Sequence, residues 1–202
     1  IPLAVMVLDP NKPYSNVREL VEFGKKNPGK LSYGSSGTGS VFHLMGAAFN
    51  TAAGTDMTHV PYKGPPAALN DVMGGRIDAT YVTLGTAHPL WKSGKVKIIA
   101  TSGVKRSRFS PQVPTFTEAG VRGVEAKVWY GILAPAGTPN DVIRRMSGEI
   151  AAIIPTPDYR EKVAAVGMEP FTASPDQFTA LMRGDMARYA KVVKAANIRI
   201  DN

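Results

Sequence analysis

The sequence predicts an α/β protein: one complete α/β domain with a mostly parallel sheet, followed by an incomplete second α/β domain. Three observations carry this reading. Short apolar segments of strand length alternate with stretches at helical spacing, single glycines and prolines fall between them, and beyond Gly123 helices outnumber strands.

Ala4 to Leu8 is a short apolar run that ends at Asp9, Pro10 and Pro13, as a buried strand leaving the core does. Ser15 is the expected N-cap of a helix with Val17, Leu20 and Val21 on one face, stopped by Asn27, Pro28 and Gly29. A strand over Leu31 to Gly34 leads through a Ser- and Gly-rich loop, Ser35 to Gly39. Val41, Leu44, Met45, Ala48, Phe49 and Ala52 then keep helical spacing up to Gly54. The unit repeats as strand Thr58 to Tyr62 and helix Pro65 to Met73, with proline in the first turn and Gly74 and Gly75 as the stop. Strand Ile77 to Val82, a short helix around His88 to Lys92 and strand Val96 to Thr101 complete the alternation. Such a sheet places its ligands beyond the carboxyl ends of its strands.

From Ser102 to Gly123 the pattern lapses, apart from one turn near Thr115 to Ala119, and a domain boundary is expected near Gly123. Residues 1–123 form the complete domain of this reading and residues 124–202 part of another. Val128 to Ala134 is read as a strand. Helices open at Thr138-Pro139, at Thr156-Pro157 and at Ser174-Pro175-Asp176-Gln177, the last a capping box with Phe178, Leu181, Met182, Tyr189, Val192, Val193 and Ala196 on one face. One or two strands cannot cover three apolar helix faces, so part of this section is expected to be missing.

Composition narrows the chemistry. The 202 residues hold no cysteine, which excludes disulfides, cysteine-held metals and thiol nucleophiles. The formal net charge of +8 favours an acidic partner. No apolar run approaches the ~20 residues of a membrane-spanning helix. The first residues, from Ile1, lack a basic region or cleavage signature, and the chain is read as truncated or processed.

The most informative stretch is Tyr33-Gly34-Ser35-Ser36-Gly37-Thr38-Gly39-Ser40, between a strand and a helix N-terminus. Amides at a helix start lack partners, glycines admit a ligand to the backbone, and hydroxyls add donors, so the stretch suits an anion. The alternative is a solvated connecting loop. A P-loop needs Lys where Gly39 stands, and a dinucleotide fingerprint needs Gly where Phe42 stands, so neither spelling fits. Micromolar affinity is about −8 kcal/mol, and a helix terminus supplies only ~0.3 to 2 kcal/mol. Several convergent donors at roughly 1.5 to 3 kcal/mol each are therefore required.

His43 lies one turn into the helix, and a serine-type hydrolase using Ser36 and His43 is the competing reading. An elbow G-x-S-x-G starting at Gly34 would place Thr38 at its last glycine. Tyr62, Lys63 and Gly64 at the next strand end are candidates for a pocket wall and a counter-charge, the alternative being a packing Tyr and a solvated Lys. Thr83 and Gly85 form a third strand-end loop. The three histidines, with His59 in a strand and His88 before Pro89, show no ligand spacing, and no metal or cofactor is expected. The basic residues Lys92, Lys95, Lys97, Lys105, Arg106 and Arg108 lack interleaved aromatics and are read as a solvated face, with no nucleic acid.

The ordered succession Leu31-Ser32-Tyr33-Gly34-Ser35-Ser36-Gly37-Thr38-Gly39-Ser40 with His43-Leu44, His59-Val60-Pro61-Tyr62-Lys63-Gly64, Gly94-Lys95, Pro114-Thr115 with Glu118-Ala119-Gly120, and Trp129-Tyr130-Gly131 with Ala134-Pro135-Ala136-Gly137-Thr138-Pro139 resembles the Bug family. These are extracytoplasmic solute-binding receptors of tripartite tricarboxylate transporters. The resemblance implies a periplasmic-binding-protein-like fold and a periplasmic, non-catalytic receptor. It would capture a di- or tricarboxylic or related organic acid and deliver it to membrane permease subunits. It implies that the Ser35–Ser40 and Tyr62–Gly64 loops line one side of the cleft, with the acid held by amides, hydroxyls and bridging waters. Family members carry a further N-terminal stretch, without which weak binding and a homodimer or domain-swapped oligomer are expected. The turn after Val82 lacks the Asp and Pro frequent in the family.

Overall fold

The computed structural model describes residues 4–126, 128–165 and 168–199. Five strands, β1 (Ala4–Leu8), β2 (Ser32–Ser35), β3 (Thr58–Pro61), β4 (Ala79–Thr83) and β5 (Lys97–Thr101), form one sheet in the order β3-β2-β4-β1-β5. β2 runs parallel to β3 and β4, whereas β1 runs antiparallel to β4 and β5. The sheet expected to be mostly parallel is therefore mixed: four strands share one direction, and the reversed β1 between β4 and β5 makes two of the four pairings antiparallel.

That strand shows why the sheet is layered. All five residues of β1 are fully buried. Ala4, Met6 and Leu8 pack with Val17 and Leu20 of α1 (Val17–Lys26) and Phe42, Met45 and Phe49 of α2 (Val41–Ala53). Val5 and Val7 pack on the other face with Leu69 and Val72 of α3 (Pro65–Met73) and with Leu84 and Ala87 of α4 (Leu84–Lys92). Successive side chains of a strand point to opposite faces, so an unbroken apolar run is what a strand covered on both sides requires.

Two helix starts differ from the sequence reading. α1 is capped by Asn16, not Ser15: the Asn16 side chain accepts from the Glu19 amide at 3.0 Å, while the Glu19 carboxylate accepts from the Ser15 amide at 2.7 Å. The capping pair is shifted by one residue because its return partner is Glu19. α4 begins at Leu84, directly after β4, not near His88, since Thr83 both ends the strand and caps the helix, its hydroxyl accepting from the Thr86 amide at 3.4 Å. Pro89 lies inside α4 and is not a marker of its start.

Thr115–Ala119 is the single turn expected, with the Ala119 amide donating to the Thr115 carbonyl at 3.0 Å. The predicted strand Val128 to Ala134 is not formed. No described strand pairs with it, and Tyr130, Ile132 and Leu133 are exposed, so an apolar sequence has no ladder to join. Val124, Ala126 and Val128 pack into the core on the α1 and α2 side of the sheet.

α5 (Asn140–Ile153), α6 (Pro157–Ala165) and α7 (Pro175–Ala195) form at the three predicted openings, and none contains a buried residue. α7 docks through a polar and aromatic clasp. The Trp129 indole N–H donates to Asp185 at 2.8 Å, its ring meets Phe178 edge-on at 5.0 Å, and Arg188 bridges Asp185 and the Glu125 carbonyl. The capping box at Ser174 is present in both directions. Replacing Ser174 with alanine removes one acceptor from a helix with no buried anchor, and is expected to lower the opening free energy of the first turns of α7 by about 1 kcal/mol, read by amide hydrogen exchange.

Candidate functional site

Because β2, β3 and β4 are parallel neighbours, their carboxyl ends lie at one edge of the sheet, and the N-termini of α2, α3 and α4 meet there. Ser35 stands beside Pro61 in the β2–β3 register, and Thr83 ends β4. The edge thus gathers the three loops that carry the candidate residues. They do not contribute equally.

The loop after β2 is the most donor-rich. Gly37 and Gly39 have φ of 116° and 78°, a region that any side chain makes strained, so glycine is required at both turns. The buried Ser35 hydroxyl lies 3.1 Å from the Gly37 amide, 3.0 Å from the Gly37 carbonyl and 2.7 Å from His59 Nε2. The Ser40 amide donates to the Gly37 carbonyl at 3.2 Å, and the Ser40 hydroxyl caps α2 by accepting from the His43 amide at 3.3 Å. Thr38 is exposed and Ser36 half-buried on this frame. The amides of Ser36, Thr38, Val41 and Phe42 find no acceptor among the described residues and remain available to an anion.

The second loop is tied to the first, since the Tyr62 amide donates to the Ser35 carbonyl at 3.1 Å. Tyr62 packs and does not offer its hydroxyl: that group donates to Asp71 at 2.7 Å, and burial followed by the Asp71 contact pushes its pKa up to about 12. Lys63 is exposed, and Gly64 precedes α3 without a side-chain cap. Pro65 and Pro66 open α3, and proline has no N–H, so this terminus lacks the two donors that α2 presents. At α4, the Thr83 hydroxyl is engaged by Thr86 at 2.8 Å, and Leu84 and Gly85 supply the first-turn amides.

His59 is the residue that sequence reasoning passed over. Its ring stacks on that of His43 at 3.7 Å and 7°, and His43 Nδ1 accepts from the Gly39 amide at 3.0 Å. Burial lowers the pKa of His43, and burial followed by the charge of His43 lowers that of His59 to about 4. Ser36 makes no bond to His43; the serine that meets an imidazole is Ser35, which is enclosed. The available signal was indirect: parallel pairing sets His59 opposite Tyr33, two residues before Ser35 and so on the same face of the sheet, with the Gly34–Val60 pair between them.

Beside the first turn of α2 lies an apolar cavity of about 430 Å³, bounded by Val41, Val128, Trp129, Met182, Asp185, Met186 and Tyr189. None of the candidate loop residues lines it. Among the described residues, no group of three His, Asp or Glu side chains converges to hold a metal ion, and no helix is long and apolar enough to cross a membrane.

The family profile described as "Tripartite tricarboxylate transporter family receptor" (TctC) matches residues 2–198. The chain belongs to this family. Among its relatives, a UPF0065 protein in the tcbD-tcbE intergenic region of Pseudomonas sp. (strain P51) is 30% identical over 191 residues, covering 94% of this chain and 57% of the relative. The solved structure of R. palustris Rpa4515 with adipate superposes with a TM-score of 0.89 at 31% identity, covering 98% of this chain and 66% of that one. The periplasmic binding protein BugD superposes at 0.86 with 30% identity, covering 98% and 67%. The TctC chain described here therefore spans just over half the length of that curated relative and about two thirds of these solved structures.

Proposed function

We propose that this chain is the α/β ligand-binding portion of an extracytoplasmic receptor that seats one carboxylate of a small organic acid on the loop Ser35–Ser40 and passes it to the membrane subunits of a tripartite tricarboxylate transporter. The observation that carries the reading is the loop itself. Two glycines in left-handed conformations and a capped helix start leave four neighbouring amides without acceptors, flanked by the hydroxyls of Ser36, Thr38 and Ser40. Charge-assisted hydrogen bonds of roughly 1.5 to 3 kcal/mol each bring three or four such donors within reach of micromolar binding, a total that the dipole of α2 alone does not approach. The adipate held by the R. palustris relative supports a dicarboxylate of that kind. Gly64, Thr83 and Gly85 form the rest of the rim, with Lys63 as a solvated counter-charge and Tyr62 as the strut beneath it. The protein performs no covalent chemistry, and it works outside the cytoplasmic membrane.

Titrating the chain with adipate, malate and citrate in a thermal-shift assay is expected to raise its melting temperature selectively, since ligand at a hundred times Kd adds about 2.7 kcal/mol to stability. Gly37→Ala places a side chain in a left-handed turn and is expected to abolish that shift. Equal shifts in both proteins, or none with any acid, would remove the loop from the function.

A further inference from the structure

Beneath the loop, Ser35 bonds His59, the His59 ring stacks on that of His43, and His43 bonds Gly39, contacts that carboxylate binding as described does not use. The proton positions follow from the geometry. The Gly39 amide is a donor, so His43 Nδ1, 3.0 Å away, must be the lone-pair nitrogen, and the proton of the neutral ring sits on Nε2. The Ser35 hydroxyl has one proton, and the Gly37 carbonyl 3.0 Å away can only accept it, so His59 Nε2 is the donor to Ser35 at 2.7 Å. The two rings then lie parallel at 3.7 Å, a spacing that two cations do not share.

We propose that His43 and His59, as neutral imidazoles, are positioning residues that latch the Ser35–Ser40 loop, and that protonation of His43 at Nδ1 opens the latch by setting its new N–H against the amide of Gly39. This rests on the reading of the loop as a carboxylate seat only in its consequence for ligand affinity; the latch itself is a property of the free protein. The groups facing the pair are few. From β2, Tyr33 lies 5.2 Å from the His59 ring and donates its hydroxyl to the His43 carbonyl at 3.2 Å, and burial keeps that phenol protonated. From α2 and β3 the pair face each other, and among the described residues no carboxylate acts on either ring. Burial holds both rings below the ordinary imidazole value, and a charge on one disfavours a charge on the other. The stacked pair therefore takes up its first proton below the ordinary imidazole value, and the latch opens when His43 carries it. The latch is closed above about pH 6.5 and opens as the pH falls through the lowered His43 value.

The test is a pH titration of the 202-residue chain by nuclear magnetic resonance, following the His43 and His59 ring nitrogens and the Gly39 amide without ligand. At pH 8 His43 is expected to carry its proton on Nε2, and on acidification the Gly39 amide is expected to shift with the same midpoint as His43. His43→Asn keeps an acceptor where Nδ1 lies but cannot titrate, and is expected to leave the Gly39 amide closed and insensitive to pH. His43→Phe keeps a ring on His59 without the acceptor and is expected to leave that amide open at every pH. In the ligand arm, adipate affinity is expected to fall between pH 8 and pH 5 by roughly threefold or more beyond the fall in His43→Asn, a comparison that cancels the titration of the acid itself. A proton on Nδ1 at pH 8, or a Gly39 amide indifferent to the wild-type titration, would overturn the latch. A closed, pH-responsive latch in a chain that binds none of the acids at pH 8 would uphold it and overturn the carboxylate seat instead.

Discussion

Substituting alanine at Gly46 is expected to cost the protein about 3 kcal/mol or more of stability in urea unfolding, the upper end of the range for overpacked cores. Gly46 lies on the face of α2 that meets the sheet, and an added Cβ would stand 2.0 Å from Tyr33 Cε2 and 2.3 Å from its Cζ, deep inside van der Waals contact. The phenol ring cannot withdraw. It is 2% exposed, Tyr81 closes one side edge-on at 5.9 Å, His59 lies at 5.2 Å, and its hydroxyl is bonded to the His43 carbonyl. Relief requires α2 to move away from β2, which carries Ser40 and the loop with it, so the proposed carboxylate binding should weaken together with stability. Truncating Tyr33 to alanine in the same chain would open the space. The double variant is therefore expected to lose less than the two single losses added together, and strict additivity would show that the contact is not the cause.

Removing the carboxylate of Asp78 is expected to cost about 3 kcal/mol at neutral pH, with little effect on the ligand loop. Asp78 lies at the opposite end of the sheet from the seat, where it accepts from the Tyr14 hydroxyl at 2.7 Å and the Ser32 amide at 2.8 Å, and pairs with Lys12 at 2.8 Å. Asp78→Ala strands a buried phenol donor and a strand-end amide, and that loss exceeds the modest gain of burying fewer charges. Lys12 is partly solvated and can turn to water, which keeps the cost at the lower end for broken buried pairs. Burial alone would raise the Asp78 pKa, but Lys12, Tyr14 and Ser32 outweigh it and hold the carboxyl below its ordinary value. A depressed folded value means that its stabilisation is complete above about pH 4 and lost as the pH falls through the folded pKa. The variant should accordingly show a flatter stability profile than the parent in that acid range, and an unchanged slope there would assign the stabilisation to other groups.

The two substitutions bracket what an α/β layout does for a binding loop. Asp78 fastens β1, β2 and β4 at the end where the chain turns away, whereas Tyr33 and Gly46 set the distance from β2 to α2 at the other. The loop is short and glycine-rich, and its shape is inherited from these two fixed lengths together with the imidazoles beneath it.

Local sequence was sufficient wherever the cause of structure was local. α3 runs from Pro65 to Met73 as its proline start and glycine stop require, the Ser174 capping box forms in both directions, and Gly54 ends α2 in the left-handed conformation that glycine permits. Between residues 4 and 101, short apolar runs and helical spacing likewise indicated which segments enter the sheet and which cover it, because both patterns are properties of single elements. Reversal of β1, failure of Val128–Ala134 to become a strand, and the capture of the Tyr62 hydroxyl by Asp71 were not legible, since each depends on what lies across a gap. The same holds for the site. Glycine and hydroxyl spelling alone singled out Ser35–Ser40 as the candidate loop, while the stacking of His59 on His43 and the choice of Ser35 over Ser36 as the serine that meets an imidazole were decided only by the side-by-side register of β2 and β3. Composition and short-range spacing determine the donors a chain can present; the pairing of strands 24 residues apart determines which donors are already engaged, and hence which remain for a ligand.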